Sequence, residues 1–347
     1  MSRDILADQT IEVLRHAGFL VSDKCDIRPR SFDIAARRGD TLLLCKILLN
    51  LDGLTEETAN EMHVLSEILG GTPLVIGEKT RDQLLEDNVI YTRYKITAVN
   101  IQTFYDYFIE GIPPMVTASP GGLYVPIDGT ALKEARIENN LSLGSLAGIV
   151  GVSRRTISKY EEEGMHASID TVLMLEDLLQ IELAQPIDIL NPILTNPQKQ
   201  TPDPTAPAKV GGTIQGIGTI HDSAGNLENK AGKPETAAEA EMLTYVSTLG
   251  FDVKETAHAP FRAVSKDKNS VILTGVSKYN ASTLKRARLM SSISDVFQTE
   301  SVFLINGNSK VKSVESTAFI EKKELVRMSG PEDLIETIEE RKVPEKK

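Results

Sequence analysis

Residues 142–161 form the stretch Ser142-Leu-Gly-Ser-Leu-Ala-Gly-Ile-Val-Gly-Val-Ser-Arg-Arg-Thr-Ile-Ser-Lys-Tyr-Glu161, which predicts two short helices joined by a tight turn. Ser142 and Ser153 stand at the N-cap positions of these helices, where a serine hydroxyl accepts a hydrogen bond from a backbone N–H of the first turn. Gly151 supplies the positive φ that a sharp turn requires. A small residue such as Ala147 lets two steeply crossed helices approach closely, as in a helix-turn-helix.

Two further helices complete the predicted bundle. The segment from Gly129 to Asn140 has apolar residues available for packing and ends at two asparagines. A leucine-rich segment from Ser168 to Leu179 supplies a second apolar stripe on the other side of the central pair. The sequence therefore predicts a small helical domain over residues 129–189.

The second helix of the central pair concentrates positive charge. Residues 129–190 include five basic and ten acidic residues, yet three of the basic ones fall within residues 154–159. In a helix-turn-helix the second helix enters the major groove of DNA, where basic side chains contact guanine or neutralise phosphate. The predicted DNA-binding residues are Ser153, Arg154, Arg155, Thr156, Ser158 and Lys159. Because the net charge of the chain is −11, double-stranded DNA is expected to bind at this basic helix and not over the rest of the protein surface.

Over residues 130–185 the sequence resembles the Cro and lambda-repressor type of helix-turn-helix domain. The resemblance rests on Arg136, Leu143, Leu146-Ala147, Gly151-Val152-Ser153, Ile157-Ser158, Tyr160-Glu161, Gly164 and the closing leucine-rich helix. The sequence departs from the common pattern at Arg154-Arg155, where glutamine or proline is frequent. This departure affects the preferred DNA sequence more than the fold. The acidic run Glu161-Glu-Glu163 is interpreted as a solvated face that ends the helix.

With Pro120-Gly-Gly-Leu-Tyr-Val-Pro-Ile-Asp-Gly129 included, nearly the whole chain resembles an archaeal family of helix-turn-helix transcriptional regulators. The resemblance implies a DNA-binding regulator whose outer domains have no assigned activity. The hairpin predicted at Pro120 is interpreted as a rigid brace, with a DNA-contacting wing as the alternative. A homodimer is expected, because one such module offers little specific surface and operators are usually palindromic. A coactivator that bridges basal transcription proteins is the first alternative function.

The N-terminal part of the chain is predicted to be an α/β domain. The pattern predicts helices at Ile5–Ala17, Thr55–Leu69 and Ile101–Ile109, and strands at Phe19–Cys25, Ser31–Arg37, Thr41–Leu48, Pro73–Gly77, Val89–Tyr94 and Ile96–Val99.

The C-terminal part repeats this order at four points. The first point is the passage from helix to strand at Ala17–Val21 and at Leu249–Val253, and the second is the gapless alignment of Phe32–Leu44 with Phe261–Leu273. The third point is a strand, at Pro73–Gly77 and at Ser301–Ile305. The fourth is a strand and a helix, at Ile96–Phe108 and at Leu325–Ile338. A repeat of this length predicts a duplicated structural unit.

The residues Phe32-Asp33, followed by a hairpin and Leu44-Cys45-Lys46, resemble the core of restriction-endonuclease-type nucleases, in which an Asp and then Glu-x-Lys hold a divalent ion. Metal-assisted cleavage needs at least two carboxylates on the metal, and Leu44 stands where the second would be. In the C-terminal copy Arg262 replaces the Asp, and Leu273 and Gly275 replace the Glu and the Lys. A residual metal-dependent nuclease is the second alternative function.

The expected fold class is α/β plus all-α, with two related restriction-endonuclease-like α/β domains flanking a lambda-repressor-like helical bundle. The domains are expected at residues 1–112 (nuclease-like, without a catalytic site), 113–128 (hairpin connector), 129–189 (helix-turn-helix), 190–236 (linker) and 237–347 (second α/β domain). The linker is assigned because six of the sixteen prolines lie between Pro186 and Pro207. The glycine-rich residues 210–219 lack the Gly-Lys-Ser/Thr of a phosphate-binding loop.

No cofactor, metal or catalytic residue is expected. The five histidines are scattered, and the two cysteines, Cys25 and Cys45, are expected to be buried, reduced thiols. No apolar run reaches the roughly 18 to 20 residues of a membrane span, and no signal peptide follows Met1. The protein is therefore expected to be a cytoplasmic non-enzyme.

Overall fold

The computed structural model describes residues 2–28, 30–191 and 237–342 of the 347-residue chain. These residues form two compact units, one containing the residues up to Ile76 and those from Ala237 onward, the other the residues from Gly77 to Asn191. The predicted linker, apart from its first two residues, and the glycine-rich residues 210–219 lie outside the described ranges. The predicted domain boundaries stay predictions. None of the described helices is long and apolar enough to cross a membrane.

The N-terminal part of the first unit has the predicted α/β order. Its helices are α1 (Arg3–His16) and α2 (Glu56–Leu69). Its strands are β1 (Leu20–Val21), β2 (Ile34–Arg38), β3 (Thr41–Asn50) and the first five residues of β4 (Thr72–Lys79), in the sheet order β1-β2-β3-β4. The side chains of Ser2 and Thr55 accept hydrogen bonds from the N–H groups of Ile5 and Thr58. These caps satisfy backbone donors that would otherwise be unpaired at the helix starts.

The strand predicted at Phe19–Cys25 is wrong in extent. Only Leu20 and Val21 form a regular ladder with β2. At the next position the hydroxyl oxygen of Ser22 accepts a hydrogen bond from Ala35 N at 3.0 Å. A side chain therefore bonds to β2 at the point where the regular ladder ends, and a hydrophobicity pattern does not reveal this change.

The C-terminal part of the first unit is a second α/β structure. Its elements are α8 (Ala237–Thr248), β10 (Asp252–Glu255), β11 (Ala263–Lys266), β12 (Val271–Ser277), α9 (Ala281–Phe297), β13 (Glu300–Ile305), β14 (Ser313–Val314), β15 (Thr317–Glu321), α10 (Lys322–Leu325) and α11 (Pro331–Arg341). The sheet order is β10-β11-β12-β13-β15-β14.

The hairpins of the two α/β parts share one register. Ile34 pairs with Cys45 in the first hairpin, and Ala263 pairs with Thr274 in the second. These four residues occupy equivalent positions of the gapless sequence alignment. The order β10 to β13 along the sheet also matches β1 to β4. Register and order together support the predicted duplication.

The fourth point of the predicted repeat, at Leu325–Ile338, is wrong. That segment contains no strand; it holds the last residue of α10, a break and most of α11. The strand of this region is β15, which begins at Thr317. Pro331 fits the first turn of α11, since it has no N–H to leave unpaired, and Gly330 precedes it as the N-cap residue.

The two α/β parts share a hydrophobic core, although the middle of the chain separates them in sequence. The ring of Phe32 lies 6.5 Å from that of Phe261 and 6.0 Å from that of Phe297, measured between ring centroids. Arg37 adds a polar contact, because its Nε donates to the carbonyl oxygen of Val296 at 2.7 Å. The repeat predicts two similar structures, but it does not predict that they pack into one unit.

The second unit combines a small sheet with a helical bundle. Its strands are β5 (Val89–Arg93), β6 (Ile96–Asn100), β7 (Val116–Ser119), β8 (Gly122–Val125) and β9 (Ala167–Ser168), in the order β6-β5-β7-β8-β9. Its helices are α3 (Ile101–Tyr105), continued by a π-helical turn (Asp106–Glu110), α4 (Gly129–Glu138), α5 (Leu143–Val150), α6 (Arg154–Glu162) and α7 (Ile169–Leu179). The four helices of the predicted bundle are therefore present.

The hairpin β7–β8 supports the bundle. Pro120 and Gly121 form its two-residue turn, and Gly121 has a φ of +99° that a residue with a side chain would rarely adopt. On its other side β8 pairs with β9, which directly precedes α7. The hairpin is thus paired to the strand that leads into α7, and its role as a brace stays a prediction.

Replacement of Gly129 by Ala is expected to destabilise the bundle. A Cβ atom at this position would overlap the carbonyl oxygen of Tyr160 and lie 2.9 Å from that of Glu161. Because both obstacles are backbone atoms of α6, the first turn of α4 would have to move. We expect a loss of roughly 1–3 kcal/mol in the free energy of unfolding, measured by urea denaturation.

Gly148→Ala is the matched control for this substitution. Gly148 lies within α5, and no atom stands within 4 Å of the Cβ it would gain. Alanine favours a helix interior over glycine by about 0.5–1 kcal/mol, so this variant should be slightly more stable than the wild type. Equal stability of the two variants would contradict the close approach of α4 and α6.

Candidate nucleic-acid interface

The bundle positions α6 through a compact apolar centre. Leu132, Leu146, Ile157 and Leu175, one from each helix, are fully buried. Gly151 has a φ of +74° and ends α5, so that α6 begins after a very short turn. The predicted turn of the helix-turn-helix is therefore formed by the residue expected to form it.

Helix α6 buries one face and exposes the other. Ile157 and Tyr160, three residues apart, are 0% and 4% exposed. Arg154 and Arg155 are exposed in the first turn, and Ser158 and Lys159 are partly exposed. Neither arginine forms a hydrogen bond or ion pair with any residue in the described ranges.

Ser153 and Thr156 have a structural role in addition to their predicted one. The hydroxyl of Ser153 accepts a hydrogen bond from Thr156 N at 3.1 Å and lies 2.8 Å from the Thr156 hydroxyl. This capping contact fixes the start of α6. Both side chains are partly buried, so they are less available for contact with DNA than the two arginines.

Glu161 is not part of a solvated helix end, and its predicted interpretation is wrong. Its side chain is 2% exposed and forms a bidentate ion pair with Arg136 of α4, with N–O distances of 2.6 and 2.9 Å. Arg136 also donates to the carbonyl oxygen of Leu141 at 2.9 Å. The hydrogen bonds to Glu161 raise the pKa of the Arg136 guanidinium. By contrast, Glu162 and Glu163 are exposed, as predicted.

The Arg136–Glu161 pair joins the first helix of the bundle to the end of the recognition helix. Both residues belong to the family pattern of the sequence, but the pattern gives neither of them a function. A separation of 25 positions gives no local signal of a contact. Only the folded bundle brings the two side chains together.

Asp33, the residue at the nuclease-like position, is the centre of a cluster of ion pairs. Asp33 is fully buried, and its Oδ1 atom lies 2.6 Å from Arg3 and 2.6 Å from Arg30. Its Oδ2 atom accepts a hydrogen bond from Ile47 N at 2.6 Å. A carboxylate with two guanidinium partners has little free capacity to hold a divalent cation.

The neighbours of Asp33 also lack the features of a metal site. Lys46 donates to the carbonyl oxygen of Arg30 at 2.6 Å, and burial lowers its pKa while Asp33 opposes that shift. Leu44 is fully buried and offers no ligand atom. Within the described ranges, no group of three or more His, Cys, Asp or Glu side chains could hold a metal ion.

Cys25 and Cys45 are buried and form no disulfide. Burial raises the pKa of Cys25 to about 11 and that of Cys45 to about 12. Neither thiol is ionised near neutral pH, so neither is an activated nucleophile.

In the C-terminal copy the equivalent positions form no carboxylate site. Arg262 takes the place of Asp33, and the backbone confirms the match: Asp33 N donates to Cys45 O at 2.8 Å and Arg262 N to Thr274 O at 2.8 Å. Gly275 takes the place of Lys46. A Cβ atom on Gly275 would lie 2.6–2.8 Å from carbons of the Phe303 ring, so this site has no room for a side chain while the ring is there.

Comparisons with known proteins agree with both parts of this description. Residues 3–114 match the family described as a PD-(D/E)XK superfamily domain, and residues 132–185 match a helix-turn-helix family. No solved structure matches the chain.

Several curated relatives are similar over nearly the full length. A protein of Methanosarcina mazei named "Putative HTH-type transcriptional regulatory protein" is 55% identical over 343 residues, which cover 99% of this chain and 98% of that protein. Proteins with the same name in Methanococcoides burtonii and Halorubrum lacusprofundi are 53% and 43% identical, each over 98% of both chains.

The substitution Glu161→Ala is expected to destabilise the bundle strongly. It leaves Arg136 largely buried without its carboxylate, and removal of one partner of a buried pair costs roughly 3–5 kcal/mol. Glu163→Ala removes an exposed carboxylate two residues away and should change stability by less than about 0.5 kcal/mol. Thermal and urea unfolding measure both values; similar small losses would show that the pair is not stabilising.

Proposed function

We propose that this chain, which belongs to the archaeal family of HTH-type transcriptional regulatory proteins, regulates transcription by binding specific double-stranded DNA with α6. One observation carries the proposal. The exposed first turn of α6 presents Arg154 and Arg155 to solvent in a chain whose net charge is −11. An acidic protein that exposes two adjacent arginines at a helix start, without a partner among the described residues, favours a local anionic partner.

The proposed DNA contacts are those of the recognition helix. Arg154 and Arg155 suit bidentate contacts to guanine, and Lys159 suits a phosphate. Ser158 lies one turn after Arg154 and extends the same face. Ser153 and Thr156 would contact DNA next to the capping interaction that they already make. The resulting set is Ser153, Arg154, Arg155, Thr156, Ser158 and Lys159.

We place the domain boundaries where the sequence predicts them and assign the chain to the cytoplasm, where an archaeal chromosome lies. Residues 129–189 would bind DNA. The two α/β domains would provide dimerisation or signal sensing.

A homodimer fits this proposal. Four large apolar side chains of the bundle are more than half exposed: Ile137, Ile149, Leu173 and Met174, at 53–59%. A second copy could cover such side chains, and two copies would contact two half-sites of a palindromic operator. Sedimentation of the protein bound to a selected genomic fragment gives the mass of the complex, which distinguishes one bound copy from two.

The nuclease-like domain is proposed to be without nuclease activity. Its Asp33 carboxylate is paired with Arg3 and Arg30, and the position of the second carboxylate is Leu44. A fold does not carry an activity when its site residues are missing. The domain would serve as a scaffold.

The double substitution Arg154→Ala/Arg155→Ala is expected to lower affinity for specific DNA about 100-fold, because each base contact contributes roughly 1–3 kcal/mol. Mobility shifts on genomic fragments selected by the wild-type protein measure the loss. Lys159→Ala, which removes the proposed phosphate contact, should instead lower the salt dependence of binding by about one unit of logarithmic slope.

Lys133→Ala is the matched control, since Lys133 is exposed on α4 of the same bundle. It should bind DNA like the wild type. Unchanged, salt-insensitive binding by the double variant would overturn the assignment of α6. Capture of a general transcription factor in the absence of DNA would then favour the coactivator function.

We expect no cleavage of plasmid DNA by the purified protein with Mg²⁺ or Mn²⁺. Asp33→Ala should instead lower the free energy of unfolding by roughly 3–5 kcal/mol, because two buried or half-buried guanidinium groups lose their carboxylate. Asp26→Ala, at an exposed position seven residues earlier in the chain, is the control and should unfold like the wild type. Metal-dependent cleavage that Asp33→Ala abolishes would establish the opposite.

A further inference from the structure

A cavity of about 80 Å³ lies in the C-terminal α/β part, at the position equivalent to the Asp33 cluster of the first copy. Its lining includes Arg262, Arg286, Glu239, Gly275 and Phe303. A cavity of this size has room for several water molecules. It can therefore hold a small polar group.

The same fold position carries opposite charge in the two copies. In the first copy Asp33 is the carboxylate that neutralises Arg3 and Arg30. In the second copy the equivalent residue is itself a cation, Arg262, and α9 adds Arg286 to the same wall. The cavity therefore has two guanidinium groups in its lining against one carboxylate, that of Glu239.

Arg286 lacks one of its hydrogen-bond partners among the residues that the structure describes. Its Nε atom is buried and has no hydrogen-bond partner within the described ranges. A buried charged donor without a partner is costly, and such sites are normally completed by an anion or by water.

The surrounding sequence is also basic. Residues 268–294 contain Lys268, Lys278, Lys285, Arg286 and Arg288 but no Asp or Glu. In a chain of net charge −11, this segment produces a local positive field that attracts anions.

We propose that this cavity binds a phosphate group, with the guanidinium groups of Arg286 and Arg262 as its ligands. Arginine is suited to this role because its planar donors match the oxygens of phosphate. Glu239 opposes the bound anion and limits its affinity. The phosphate is that of a free phosphorylated compound or of a nucleic-acid backbone, since both present the same oxygens. This inference is independent of DNA binding by α6.

Inorganic phosphate is the probe that tests the site in the full-length protein. Calorimetric titration at constant ionic strength, with chloride as the compensating salt, should show saturable binding, and phosphate should raise the melting temperature because it binds the folded state. Arg286→Ala should weaken binding about tenfold or more. Arg288→Ala, an exposed position on the same helix, should leave it unchanged.

Glu239→Gln provides a test in the opposite direction. It removes the opposing charge and should tighten phosphate binding severalfold, a gain that a merely destabilised protein would not show. Arg286→Lys keeps the charge and tests the site if the alanine variant does not fold; it should bind more weakly than the wild type and more tightly than Arg286→Ala.

A competition experiment distinguishes the two possible sources of the phosphate. Competition of phosphate by non-operator DNA would identify the backbone as a ligand, and competition by pyrophosphate but not by DNA would identify a free phosphorylated compound. Absence of saturable binding, or equal binding by Arg286→Ala and Arg288→Ala, overturns the proposal.

Discussion

The burial of Ile157 and Tyr160 is the constraint on which the candidate interface depends. These residues fix the rotation of α6 about its axis, and the opposite face of the helix, with Arg154 and Arg155, is consequently turned to solvent. The Arg136–Glu161 pair holds the end of the same helix to α4. The close approach of Gly129 to the backbone of α6 completes the attachment. The exposed charges are thus presented by a helix that is fixed at its core-facing side, as precise contact with base edges requires.

The two α/β copies show how one fold can keep its shape while its chemistry changes. Their hairpins share a register, and the backbone hydrogen bonds of Asp33 and Arg262 are equivalent. The backbone is thus preserved where the side chains differ in charge. In the first copy arginines fill the space beside the carboxylate, and in the second the carboxylate itself is replaced. The same backbone therefore accommodates an ion-pair cluster in one copy and a cavity lined by two arginines in the other.

The sequence predicts local structure well and long-range contacts poorly. Apolar periodicity predicts α4 to α7, capping serines mark the starts of α5, α6 and α7, and a glycine marks the turn at Gly151. The hydrophobicity pattern does not reveal the early end of β1, because Ser22 bonds to β2 through its side chain. The ion pair of Glu161 and the shared core around Phe32 escape prediction for another reason. Each joins residues far apart in sequence, and residue type alone does not specify which partner a side chain meets.

The partners of the arginines separate their roles in this acidic chain. Arg136, Arg3 and Arg30 each contact a carboxylate that is nearly or fully buried, which neutralises their charge within the protein. Arg154 and Arg155 have no carboxylate partner within the described ranges and remain exposed. Desolvation explains the difference, since a guanidinium in the interior requires a counter-charge whereas one in water does not. Arg286 belongs to neither class: it is half-buried, and its buried Nε atom has no hydrogen-bond partner among the described residues, so an external anion could supply the missing acceptor.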